Sequence, residues 1–591
     1  MRHSGLLIAV AALGAAVGQT GMETQRSGAG YPERWPQGPS ADTVPDWAGP
    51  GRIRFSRWDG GRVETAKAML SGWPGFNPPN PDLLYSMTNW YDPGTVRLAR
   101  DAGLNLIWVT FSVGFSERAE AVHQQQVRRY IQECHRQGIR VMAYESIGNM
   151  FWEDMFAAYP DSRNWVRLGK DGKPVPYGAG DYAKMGRVTR YMADYSKPGW
   201  RALLKRRIDR AVEAGADGIM YDNNFGSGLV ALYDELQQYA TAKKKDLLLM
   251  GNFHADTYVL NRLVNCITTE DGLEPGIYSE KGAQHPRLSR FRPLLRKIDG
   301  GYLMNNMGLL RIHETLAQGW KPVMIENGHR EEGDRLERLP GPQRAQLSLA
   351  ESMSFGVGQE LFVEGKVAHG LLSGDPEVSA TWRAIGTYNR FFAQNEGLYR
   401  GARSKAPLAV LLDDEPAPVA LLDALAARRV LFEVLYDHDV TPEALRNYRA
   451  VLPLGGRIRD RAGKALSAFA AAGGTIVSAA NDPRPDPEEL AQRLHAASGE
   501  AKAIVEGPPG VLYNITEQPS NRSVLVHLLN YTLRPVDNVA VTLRVSAGTV
   551  RLLSPDSGSL PLKIVGRSAD TVRLEVPHLS IYSVLIAEEK R

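Results

Sequence analysis

Between residues 80 and 395 the chain alternates short, wholly apolar runs with longer stretches whose apolar residues recur every three or four positions. The runs occupy residues 83–88, 104–110, 139–146, 218–222, 247–252, 267–270, 322–326 and 361–364. Short runs without polar alternation suit strands covered on both faces, so the pattern predicts a parallel sheet lined by helices. The intervening helices carry start and stop signals. Asp92-Pro93 opens one that Gly103 closes, and Ser116 opens a second whose stripe of Val127, Tyr130, Ile131 and Cys134 ends before Gly138. Ser196-Lys197-Pro198 opens a third, burying Trp200, Leu203, Leu204, Ile208 and Val212. Eight strands each followed by a helix is the count of an α/β, (β/α)8 TIM barrel, and we place it at residues 51–400.

Residues 401–500 repeat the α/β pattern on a smaller scale. Strands are expected at 408–412, 451–454 and 475–478, with one helix through Val430 and Leu435 and another through Leu466 and Phe469. This predicts a small flavodoxin-like α/β domain. From 503 onward the pattern becomes period-two alternation, at 524–531, 539–545, 550–553, 571–576 and 581–587, which predicts a C-terminal antiparallel β-sandwich over residues 501–591.

Composition narrows the class. At 591 residues, 43% hydrophobic and 23% charged, the chain is large enough for about three core-forming domains. Its 70 Lys and Arg against 66 Asp and Glu leave a net charge of +4, so neither nucleic acid nor a membrane surface is the expected partner. Cys134 and Cys266 alone cannot build a disulfide scaffold or a cysteine zinc site. Arg2, the apolar run 5–17 and the small Ala16 and Gly18 read as a signal peptide over residues 1–18. Export to the periplasm or the extracellular space is therefore expected, with no membrane attachment after signal removal. Residues 19–50, rich in Gly, Pro, Ser and Thr, are expected to be a flexible leader.

The strand ends hold the candidate chemistry, because a barrel gathers its βα loops at one mouth. They read Tyr144-Glu145-Ser146, Tyr221-Asp222-Asn223-Asn224, Gly251-Asn252-Phe253-His254, Thr269-Glu270-Asp271-Gly272, Ile325-Glu326-Asn327 and Val363-Glu364-Gly365. So many acids at one mouth repel each other and suit a reaction that needs a carboxylate pair. Glycoside hydrolysis is such a reaction: one carboxyl protonates the leaving oxygen while the other attacks the anomeric carbon or activates water. Trp90, Tyr91, Phe151, Trp152, Tyr159, Trp165 and Tyr177 are candidate sugar platforms, and residues 148–196 form a third βα loop long enough to be a binding loop or lid. His254 and His329 sit near strand ends, but no HxH pair or HExxH motif accompanies them, so no metal or other cofactor is expected.

Residues 89–93 (Asn-Trp-Tyr-Asp-Pro), 138–144, 151–156 (Phe-Trp-Glu-Asp-Met-Phe) and 214–223 (Ala-Gly-Ala-Asp-Gly-Ile-Met-Tyr-Asp-Asn) resemble the barrel of bacterial hypothetical glycosyl hydrolases. Such barrels are similar to the α-galactosidase and α-glucosidase group, whose nucleophile ends strand four and whose acid/base ends strand six. That resemblance implies Asp222 for the first role and Glu270 or Asp271 for the second. In the β-galactosidase barrels the acids end strands four and seven, which brings in Glu326. Residues 406–497 also resemble the amidotransferase-like trimerisation domain that follows some of those barrels, implying a homo-oligomer, a trimer by analogy. Its strand-to-helix elbow, Leu454-Gly455-Gly456-Arg457, has no Cys or Ser nucleophile.

The resulting expectation is a retaining glycoside hydrolase acting on a carbohydrate substrate, with Asp222 as nucleophile and Glu270 as acid/base. Trp90, Trp152, Asn223, Asn252, His254 and Asp271 are expected to bind sugar, and Glu145 and Glu326 to bind substrate or tune the pair. The rival from another class is a non-catalytic carbohydrate-binding barrel.

Overall fold

The computed structural model describes residues 38–58, 89–177, 184–185, 188–224, 228–253, 258–284, 288, 291–329, 340–363, 365–413, 417–454, 460–478, 485–499, 501–560 and 562–589. Eight parallel strands close a barrel: β1 (Phe55–Trp58), β2 (Leu106–Ser112), β3 (Arg140–Ser146), β4 (Gly218–Asp222), β5 (Leu248–Asn252), β6 (Cys266–Leu273), β7 (Val323–His329) and β8 (Gly358–Val363). Each pairs with its sequence neighbours, and β1 closes the ring by pairing with both β8 and β2.

Seven of these strands fall on the apolar runs; the first does not. The run at 83–88 lies outside the described residues, and the barrel instead begins at Phe55-Ser56-Arg57-Trp58. The two middle residues of that strand, Ser56 and Arg57, are polar, so it carries no continuous apolar signal.

Alternation along each strand sorts side chains into two layers. Phe55, Leu106, Trp108, Met142, Met220, Leu248, Met250, Cys266 and Met324 point inward and fill the barrel. Val141, Ala143, Ile219, Leu249, Ile267, Val323 and Ile325 point outward into the larger core beneath the helices. The helices relevant below are α1 (Val96–Asp101), α2 (Glu117–Arg136), α3 (Pro198–Ala214), α4 (Leu229–Lys243), α5 (Tyr258–Arg262), α6 (Met307–Leu316), α7 (Pro342–Met353) and α8 (Pro376–Gln394). α2 starts where Ser116 Oγ accepts from Ala119 N–H at 3.2 Å, and its expected stripe is buried. α3 has Pro198 in its first turn and ends at Gly215, whose φ of 97° is left-handed.

The segment ahead of β1 departs from the expected flexible leader. Residues 38–50 make two short 3-10 turns across the N-terminal end of the barrel, where Ala48 is fully buried and Val44 and Trp47 pack on the inward-facing residues. Asn265 Nδ2 donates to the Thr43 hydroxyl at 3.2 Å, fixing the plug to the start of β6. The apolar residues in this Pro- and Gly-rich stretch cover what would otherwise be an open barrel floor.

The middle module is a four-stranded parallel sheet of β9 (Leu408–Leu412), β10 (Glu433–Tyr436), β11 (Ala450–Pro453) and β12 (Thr475–Ile476), in the order β10-β9-β11-β12. One expectation needs correcting. Leu435, placed in a helix by its spacing from Val430, belongs to β10; the helix is α9 (Val419–Ala427). Glu433 to Tyr436 alternates partly exposed and buried positions, and that period of two decides the matter. The Gly455-Gly456 elbow lies outside the described residues.

The C-terminal residues form two antiparallel sheets, one of five strands that Arg403–Ser404 extends to six and one of four, whose inner faces share a core including Val524, Val526 and Leu585 from the first and Val541, Leu574 and Val576 from the second. This is the expected β-sandwich.

Candidate active site

At the C-terminal mouth the inward positions of successive strands are chemically distinctive. Arg57 lies on β1, Tyr144 and Ser146 near the end of β3, Asp222 ends β4 and Asn252 ends β5; Glu270 lies on β6 and Glu326 on β7. Each continues the inward phase set by the filling residue two or four positions earlier, such as Met220 before Asp222 and Met324 before Glu326.

Arg57 is the hub of the acidic side. Its Nη1 lies 3.2 Å from Glu270 Oε1 and 3.5 Å from Glu326 Oε2. The guanidinium stacks 4.4 Å above the Trp108 ring, itself 4.6 Å from the Tyr144 ring. The cation is thus held on an aromatic floor, a contact worth ~0.5–2 kcal/mol when desolvated. Glu326 is almost completely buried, with 2% of its side chain exposed, whereas Glu270 keeps 30%. The pair therefore has one solvent-facing and one enclosed carboxylate.

Asp222 sits opposite. Tyr144 Oη donates to Asp222 Oδ2 at 2.8 Å and Asn252 Nδ2 to Oδ1 at 3.2 Å. Burial pushes the Asp222 carboxyl above its ordinary value, and the charge of Glu270 pushes it further; Arg57 and the Tyr144 hydrogen bond pull the other way. Two carboxyls that feel each other across a mouth are driven toward different protonation states, the condition for acid and base roles in one site.

Asn223 follows in a left-handed conformation, φ 62°, uncommon for a residue other than glycine. The turn aims its amide back at the site, with Nδ2 2.7 Å from Ser146 Oγ and 3.3 Å from Tyr144 Oη. Tyr177 Oη donates to Asn223 Oδ1, and Tyr195 Oη to the Asn223 carbonyl at 3.3 Å. Both tyrosines come from the long loop after β3, which folds on its own antiparallel strands Asn149–Phe151, Lys184–Met185 and Val188–Met192 and on a helix, Trp152–Ala158. Arg190 stacks on Tyr177 at 4.0 Å and holds it there.

Asp222, Asn223, Asn252, Glu270 and Glu326 thus gather at one mouth, and other expected residues do not. Glu145 takes the outward phase of β3 and is buried between the barrel and α3, where burial raises its carboxyl to about 8 and the Arg207 charge acts against the shift. It lies one residue from the mouth in sequence but on the wrong face, so its expected place at the substrate is withdrawn. Trp90 is also corrected: it is fully buried and stacked on Trp58 at 4.4 Å, a core contact rather than a sugar platform. Asp271 accepts from Thr269 Oγ1 at 3.1 Å, and its charge reaches His313 of α6 in the helix layer. Trp152 opens the helix Trp152–Ala158, and His254 lies outside the described residues.

The residues missed by sequence reasoning are Arg57, Tyr144 and Ser146. The last two were within reach, since they flank Glu145 and alternation allows only one of the two phases to face inward. Arg57 was not, because its strand had been placed elsewhere.

A backbone irregularity lies among the acids. Ile325 pairs with Thr269 and Asn327 with Gly272, so Glu270 and Asp271 together oppose the single residue Glu326. This is a β-bulge, a device that re-aims side chains beside functional sites.

No family model and no curated protein sequence matches the chain. Among solved structures, α-L-fucosidase isoenzyme 2 from Paenibacillus thiaminolyticus superposes with a TM-score of 0.62 at 12% identity, covering 91% of this chain and 100% of that one. A cycloisomaltooligosaccharide glucanotransferase from Paenibacillus sp., complexed with cycloisomaltoheptaose, gives 0.50 at 11% identity over 92% of this chain and 85% of that one. At these identities the likeness is one of fold, and it extends beyond the barrel to nearly the whole chain.

Proposed function

We propose that the protein is a glycoside hydrolase whose reaction is carried by Asp222 and Glu270. The observation that carries this reading is the inward convergence of Asp222, Glu270 and Glu326 around Arg57 at the mouth where (β/α)8 enzymes do their chemistry. Asp222, held by Tyr144 and Asn252, attacks the anomeric carbon. Glu270, the more solvent-facing acid, gives its proton to the departing glycosidic oxygen. Water, deprotonated by Glu270 in the second step, then releases the sugar from Asp222 with net retention. Asn223 and the loop tyrosines offer hydrogen-bonding groups to sugar hydroxyls, and Glu326 fixes Arg57. The proposal includes export, on the strength of residues 1–18. It also includes a flavodoxin-like middle module, which the strand order β10-β9-β11-β12 supports, and a homo-oligomer by analogy with the trimerisation domain that module resembles.

The test is turnover of a panel of aryl α- and β-glycosides, α-L-fucosides included, by the mature chain and its Asp222→Asn and Glu270→Gln variants. Losses of about 10³-fold in Asp222→Asn, with product retention by proton NMR, are expected. A wild-type protein inert on every glycoside, yet binding oligosaccharides equally well with and without Asp222→Asn, would establish the binding-barrel reading instead.

A further inference from the structure

The end of β6, which carries Glu270, is held from outside the barrel. Asn306 stands at the N-terminus of α6, where a side chain ordinarily caps its own helix, but it makes no such bond. Its amide instead clasps the last residue of β6: Oδ1 accepts from Leu273 N–H at 2.6 Å and Nδ2 donates to the Leu273 carbonyl at 2.8 Å. Asn306 is gripped in turn by the buried Glu351 of α7. Glu351 Oε1 accepts from Asn306 N–H at 2.8 Å and Oε2 from Nδ2 at 2.7 Å. The third donor to this carboxylate comes from the β-sandwich, where Tyr531 Oη reaches Oε1 at 2.6 Å. The cap that α6 lacks is supplied by the middle module, because Asp423 Oδ1 of α9 accepts from Gly308 N–H at 2.8 Å and Leu309 N–H at 3.3 Å.

Every member of this chain is buried, so its hydrogen bonds have no water to replace them. The geometry has a direction. Leu273 is the last residue of β6, and the segment between it and Glu270 is the bulge, where ladder pairing with β7 is interrupted and backbone position is least determined. A two-point clasp on Leu273 compensates at that place.

We infer that Tyr531 and Glu351 are positioning residues for the acid at the end of β6, acting through Asn306 and Leu273 so that the β-sandwich sets where Glu270 stands. This inference rests on the reading of Glu270 as acid/base.

Tyr531→Phe removes the sandwich's hydroxyl and little else; Glu351→Gln keeps the shape but faces an NH2 group toward Asn306 Nδ2. Two measurements on the full chain separate the layers of the argument. In hydrogen exchange, the peptide covering residues 266–274 should exchange at least several-fold faster in both variants, while the start of β3 stays unchanged. Unchanged exchange at 266–274 overturns the inference whether or not the protein is a glycosidase. In kinetics, assayed well below each variant's melting temperature, kcat/KM, which reports the first step alone, should fall about tenfold on phenyl glycosides, whose leaving group needs protonation. It should fall less than twofold on 2,4-dinitrophenyl glycosides, whose leaving group does not. Equal losses on the two leaving groups would mean a general structural role and would also overturn it. Wild-type inertness on all substrates would refute the hydrolase reading and leave the exchange result to decide the clasp alone.

Discussion

Replacing Arg57 by Met tests whether the mouth is an electrostatic unit. The guanidinium lies 3.2 Å from one carboxylate and 3.5 Å from another. At an effective dielectric constant of about 20, each contact is worth about 5 kcal/mol of gross attraction. Most of that is spent against desolvation, and Glu270, at 30% exposure, recovers water when the cation goes. Glu326, at 2%, cannot. Breaking one partner of a buried pair costs ~3–5 kcal/mol, so Arg57→Met should lose about 3 kcal/mol of unfolding free energy at neutral pH. With the Arg57 charge gone, Glu326 holds its proton more readily, so the deficit should grow as pH rises and shrink on acidification. Activity should respond with a definite sign. Arg57 lowers the Asp222 pKa, so its removal raises it and the ionised nucleophile appears at higher pH. The acid limb of kcat/KM should therefore move to higher pH, with a larger loss of rate near pH 5 than near pH 8. The assay is a pH–rate profile on an activated aryl glycoside beside urea unfolding at several pH values. An acid limb that superimposes on the wild type would refute the electrostatic account, whatever the stability result.

Three further outcomes are expected. Glu145, with its folded pKa raised to about 8, stabilises the fold while protonated, and that contribution is lost as pH rises from about 4.5 through 8; Glu145→Gln should flatten the decline in melting temperature across that window and leave the profile below it unchanged. Gly148→Ala would place a Cβ on the Asn223 carbonyl oxygen, so kcat/KM should drop at least tenfold with circular dichroism preserved; an active variant would show the Asn223 turn to be dispensable. Asp423→Ala removes the cap on α6 and should cost about 1–2 kcal/mol in chemical denaturation, whereas Ala417→Ser, just ahead of the α9 helix that carries Asp423, should not.

Much of the barrel was legible because its strands are enclosed on both faces and so read as unbroken apolar runs. The strand that escaped, Phe55–Trp58, has Ser56 bonded outward to the Leu361 carbonyl at 2.7 Å and Arg57 turned into the mouth, so half of its residues carry chemistry instead of hydropathy. The same cause hid Arg57 from the site. Glu145 departs from its expected place for the opposite reason: an acid near a strand end carries no phase of its own, and alternation separates Tyr144 from Glu145. Trp90 and Tyr91 were read as surface platforms because local sequence does not reveal that Trp58 and Thr110 wait across the barrel wall; Tyr91 Oη accepts from Thr110 N–H at 2.7 Å. The network joining Tyr531, Glu351 and Asn306 spans partners far apart in sequence, and no single-sequence pattern encodes such a meeting.

The bulge in β6 bears on how this site can change. Glu270 and Asp271 are adjacent carboxylates on one strand, and the alternation that runs from Cys266 turns Glu270 to the mouth. Deleting Glu270 would move Asp271 into that phase and remove the strand's extra residue, leaving Gly272 in its pairing with Asn327. The substrate would then meet an acid one methylene shorter, set back from the bond it must protonate. A single-residue deletion can therefore set an aspartate where the glutamate stood and leave the rest of the β6 ladder in register.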